Sequence, residues 1–160
     1  MLFRSAGSAA HLLPTALLAC CTRTASPVYG YMREDGTCEY LSPADLARCF
    51  SGAVSLMRAS AAATLRVFSP DVAQRCRARA SCERALGKHL AGAQDCVGRA
   101  DPFEPIDLGE WGVRGLGSML CALCFEMVKD REAREREALW KGLPELVGVA
   151  VADWCCRAEV

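Results

Sequence analysis

Residues 108–128, LGEWGVRGLGSMLCALCFEMV, are the most hydrophobic stretch of the chain. Their apolar side chains, among them Trp111, Leu116, Met119, Leu120, Leu123, Phe125 and Met127, fall nearly all round a helix instead of along one stripe. A helix greasy on every side has to be enclosed by others, so the stretch predicts an interior helix from Leu108 to Val128 at the centre of a bundle. Gly112, Gly115, Gly117 and Ser118 would let neighbouring backbones approach it. Just upstream, Asp101-Pro102-Phe103-Glu104-Pro105 predicts a loop, because two prolines three residues apart bar a helix. Asp107 is then placed to cap the interior helix.

Downstream, the charges of Lys129 to Glu137 predict an exposed turn or helix end. Beyond it Leu139, Trp140, Leu143, Leu146, Val147 and Val151 make another apolar face that ends at Trp154. Toward the N-terminus, Ser42-Pro43-Ala44-Asp45 is a helix start, with Ser42 at the cap, Pro43 at the first helical position and Asp45 reaching back. Leu46, Cys49, Phe50, Ala53, Val54 and Met57 then recur at spacings of three and four and predict the buried face. The helix continues or kinks toward Leu65 and Phe68. Ser69-Pro70-Asp71 repeats the start chemistry, predicting a short basic helix and a successor, with Val72, Cys76, Leu86 and Leu90 on their apolar sides and Arg75, Arg77, Arg79 and Arg84 solvated. Val28 to Tyr40 reads as an irregular lead-in, turning at Asp35-Gly36, with Tyr29, Tyr31 and Tyr40 as lids on the core. No strand-period alternation lasts more than a few residues, so the expected class is all-α.

Composition narrows the partners. The chain has 160 residues, of which 52% are hydrophobic and 24% charged, a globular profile. Lys plus Arg equals Asp plus Glu at 19 each, so the basic excess that holds a nucleic-acid backbone is missing. No apolar run reaches the roughly 18 residues that span a bilayer, and no membrane span is expected. Residues 1–27 stay open between a flexible tail, a signal peptide around Leu12 to Cys21 and an Arg-, Ser- and Ala-rich presequence; residues 28–160 are expected to form one helical domain.

Catalytic chemistry finds little footing. Of two histidines, His11 lies in the ambiguous segment and His89 on a polar-flanked helix, and neither sits beside an evident nucleophile. Gly115 and Gly117 lack the strand and the Lys-Ser/Thr of a phosphate loop. The 11 cysteines fall mostly on apolar faces, where a reduced thiol packs as a small hydrophobe, and a reducing compartment is expected. Cys121-Ala122-Leu123-Cys124 is the only C-x-x-C. With no second pair at zinc-site spacing it reads as two thiols packed inside the central helix. Cys20-Cys21 and Cys155-Cys156 complete no site either, so the expectation is no catalytic residue, no cofactor and no metal ligand.

Three stretches resemble the poxvirus Bcl-like proteins. Val28-Tyr29-Gly30-Tyr31, Glu34-Asp35, Cys38, Ser42, Asp45-Leu46 and Phe50 are similar to the lead-in to their first helix. Asp107-Leu108-Gly109-Glu110-Trp111-Gly112, with the small pair Cys121-Ala122, looks like the first Bcl-homology motif. Leu139-Trp140-Lys141-Gly142-Leu143, Leu146-Val147 and Trp154 resemble the last helices. Val113 stands where the family's groove carries Arg, and Arg114 comes about 100° further round the helix, a displacement that a directional charge-assisted bond does not tolerate. The Gly-Gly-Trp turn and the Leu-x-x-x-Gly-Asp motif are also missing, which is how the immune-modulating branch looks.

The resemblance implies a Bcl-like helical bundle in the host cytoplasm that inhibits innate signalling toward NF-kB or interferon by binding an adaptor or kinase component. Pairing of two copies through a helical face goes with it. Two alternatives remain: an anti-apoptotic protein holding a death-ligand helix in a groove floored by Trp111, Gly112 and Arg114, and a thiol or metal protein that uses the cysteines.

Overall fold

A computed structural model of the chain describes residues 6–22, 27–92, 103 and 119–154. Helices dominate: α1 (Ala6–Thr22), α2 (Pro43–Val67), α3 (Arg79–Gly92) and α4 (Ala122–Leu146), with a two-stranded hairpin of β1 (Tyr31–Met32) and β2 (Cys38–Glu39). The expected all-α class holds apart from that hairpin. By its contacts the chain divides into two compact units, Met1–Arg58 with Trp140–Val160, and Ala59–Leu139. Both divisions fall inside the long helices α2 and α4.

In the first unit, the hairpin turns where Asp35-Gly36 predicts. Gly36 has φ +81°, and Asp35 Oδ1 accepts both the amide and the hydroxyl of Thr37. Tyr29, Tyr31 and Tyr40 do not lid the core; they are 80%, 60% and 70% exposed. A strand pair two residues long presents both faces to solvent here, so its aromatic rings have nothing to cover. α2 starts with the expected cap, Ser42 Oγ accepting the Asp45 amide at 3.1 Å and donating to its carboxylate at 2.8 Å. Its buried face is turned from the expected one. Cys49, Gly52 and Leu56 are enclosed while Phe50 and Val54 face out.

Gly52 explains the rotation. A Cβ there would meet Cys21 Sγ at 3.2 Å and the Val147 backbone at 3.5 Å, so the smallest residue marks the line of close packing. Leu17, Cys49, Leu56, Leu143 and Val147 are among the buried apolar residues described in this unit. α4 ends in a Schellman cap: Gly148, at φ +70°, donates to the Glu145 carbonyl and Val149 to that of Pro144. The expected helix to Trp154 therefore stops at Leu146. Trp154 instead folds back, its ring 5.0 Å from Trp140 and its Nε1 donating to the Trp140 carbonyl at 2.7 Å.

The second unit is built round Val67, Phe68, Cys82, Ala85, Leu86, Leu120, Cys124 and Val128. Lys129 to Glu137 are not a turn but the middle of α4. The charges that suggest solvent exposure are spaced for helix: Glu126 pairs with Lys129, Glu132 with Arg136, and Glu135 takes Arg66 of α2 in a two-pronged bond at 2.8 and 2.7 Å. Nor does Ser69-Pro70-Asp71 start a helix. Arg131 donates to the Val67, Ser69 and Asp71 carbonyls, and Ser69 Oγ to the Asp71 carboxylate, so these residues finish α2 and the next helix waits until Arg79.

Candidate metal centre

Cys121 is the first non-helical residue before α4, and its carbonyl accepts the Phe125 amide at 2.9 Å, which makes it the N-cap. An N-cap side chain faces the free amides of the first turn. A sulfur can take the role that an oxygen usually fills, and the Cys124 amide is bonded to Cys121 Sγ. The C-x-x-C spacing places the second thiol three residues on, at the third position of the same turn.

α3 contributes in the same way. Its Cys82 amide bonds the Ala78 carbonyl, so Cys82 stands in that helix's first turn. Cys76 comes from the turn between α2 and α3, where its own amide closes on the Ala73 carbonyl at 2.9 Å. The four sulfurs, of Cys76, Cys82, Cys121 and Cys124, all lie within 4.8 Å of one another, with Cys76 and Cys121 at 3.7 Å. The Cys82 sulfur accepts the Cys121 amide at 3.4 Å, and the Cys124 sulfur is bonded by the backbone of Ala73. Amides aimed at sulfur, together with two helix N-termini, favour negative charge on the group.

The thiols differ in how readily they ionise. Cys121 is lowered to about 7, first by the bond from the Cys124 amide. Burial pushes Cys124 up to about 12 and raises Cys82. Two enclosed thiols that resist ionisation beside one that favours it form a set that a divalent cation would complete by displacing their protons.

The donor set fits such a cation. Zinc bound by four cysteines has Zn–S bonds of about 2.3 Å and hence sulfur–sulfur edges of about 3.8 Å in a tetrahedron. The Cys76–Cys121 edge already has that length, and among the described residues no carboxylate or imidazole joins the group. Four thiolates would fill the coordination shell and leave no open position for a substrate, which is the pattern of a structural centre rather than a catalytic one.

Sequence reasoning missed the site. Cys76-x5-Cys82 is not a familiar ligand spacing, and the C-x-x-C opens a helix where the apolar pattern predicts the middle of one. The described chain leaves helix at Leu120 and Cys121 and re-enters it at Ala122, so the C-x-x-C sits at a helix start and not in a helix interior. Trp111, Gly112 and Arg114, the expected groove residues, lie outside the described residues, as does most of the expected helix from Leu108 onward; its described part breaks at Cys121. His89 is stacked on Phe68, with ring centroids 6.0 Å apart, and serves the core of its unit. No family model, no curated protein and no solved structure matches the chain.

Proposed function

We propose that this chain is a zinc-braced helical protein that acts by docking onto another protein and not by catalysis. The observation that carries the reading is the mutual approach of the Cys76, Cys82, Cys121 and Cys124 sulfurs within 4.8 Å. Zinc held there would tie the turn before α3 to the starts of α3 and α4. Metal content of the purified full chain is the test: about one zinc per chain, lost in Cys82→Ser and Cys124→Ser, supports it, and a folded chain without metal overturns it. Iron in place of zinc would keep the centre and change the metal.

The narrower reading is the one the resemblance implies, a Bcl-like bundle that binds an adaptor or kinase component of host innate signalling. A helical chain is compatible with it, and the exposed Val28, Tyr29, Tyr31, Met32 and Tyr40 around the hairpin favour a docking role, since aromatic residues and Met are enriched where proteins meet. Pull-down of a tagged chain from cells with a stimulated interferon or NF-kB pathway tests it. Recovery of a pathway component that is lost with Tyr29→Ser and Tyr31→Ser supports this reading; unchanged capture removes the hairpin from it.

A further inference from the structure

The four sulfurs of the centre are held unequally. Cys82 and Cys124 are fully buried, and both sit on helical backbone in the first turns of α3 and α4. Cys76 and Cys121 are partly exposed, and both lie outside the helices, one in a turn and one at an N-cap. Their sulfurs face each other at 3.7 Å. A disulfide requires about 2.05 Å between sulfurs, so closing the pair asks for a movement of under about 2 Å that non-helical backbone can supply. The buried pair has neither solvent access nor loose backbone.

We propose that the Cys76–Cys121 edge is an oxidation site, at which a hydroperoxide joins the two residues in a disulfide and thereby releases the metal; this rests on the four-thiolate reading of the centre. One sulfur of the pair, as thiolate, attacks the peroxide oxygen; the O–O bond breaks, a sulfenic acid forms and hydroxide leaves to be protonated to water. The other sulfur then attacks the sulfenic sulfur, the S–S bond forms and a second water departs. The two zinc-bound thiolates lose two electrons, and one hydrogen peroxide takes these with two protons from solvent to become two waters. Cys82 and Cys124 alone supply two donors of the four that zinc takes in a structural site, so its affinity collapses.

The test uses the zinc-loaded full chain, treated with hydrogen peroxide in the presence of a chromogenic zinc chelator. Free thiols are then alkylated, and unreduced peptides are fragmented in a mass spectrometer. The expected result is a Cys76–Cys121 cross-link formed in step with about one zinc released, with Cys82 and Cys124 alkylated, and recovery of zinc binding after reduction. A link through Cys82 or Cys124, irreversible acids without a link, or zinc retained while the link forms overturns the proposal. A chain isolated without any metal sinks the centre itself, whereas a zinc-loaded chain that yields no such link sinks only the oxidation site.

Discussion

Cys121 shows how one residue takes its chemistry from position. At the N-cap of α4 its sulfur receives the Cys124 amide and is lowered to about 7, while Cys124, one turn inward, is pushed up to about 12 by burial. The same residue types, read as a string, are two small hydrophobes. His89 carries the complementary lesson. Burial first, and then Lys88, lower its pKa below the ordinary 6.5. An imidazole that stays neutral in the fold and takes a proton on unfolding contributes stability that is complete above the unfolded pKa and is lost as pH falls below it toward the folded value. His89→Gln is therefore expected to flatten the decline of melting temperature between about pH 7 and pH 5 relative to the unsubstituted chain. Equal slopes for the two proteins would show that the stacked ring bears no such load.

Elements begin and end here through side chains that find backbone partners, and these can be tested singly. Ser42 exchanges two bonds with Asp45 at the start of α2. Ser42→Ala should cost about 1 kcal/mol in urea unfolding, and no loss would mean that Pro43 alone starts the helix. At the other end, Arg131 donates to three carbonyls of the residues that finish α2. Arg131→Met keeps the aliphatic stem and removes the donors, with an expected cost of about 1.5–3 kcal/mol. A variant as stable as the parent would contradict the capping role. Arg131 also accounts for the helix that Ser69-Pro70-Asp71 does not start: a residue roughly sixty positions away takes the carbonyls, which no local signal announces.

At the scale of the molecule, local chemistry was legible and long-range chemistry was not. The Ser42 cap, the Asp35-Gly36 turn and the helical class could be read because each is settled by residues within one turn of one another. The rotated face of α2 depends on Gly52 meeting Cys21 and Val147. The helical course of Lys129 to Glu137 depends partly on Arg66. The four-cysteine centre depends on Cys76 and Cys82 meeting a pair some forty residues later, roughly a quarter of the chain away. A spacing rule sees each pair alone; only folding of the unit from Ala59 to Leu139 makes them four.

The most direct measurement is X-ray absorption at the zinc edge of the purified, reduced full chain. A first shell of four sulfurs at about 2.3 Å, with no nitrogen or oxygen, is the predicted result. A shell containing nitrogen or oxygen ligands, or a folded chain that holds no metal, would contradict the centre.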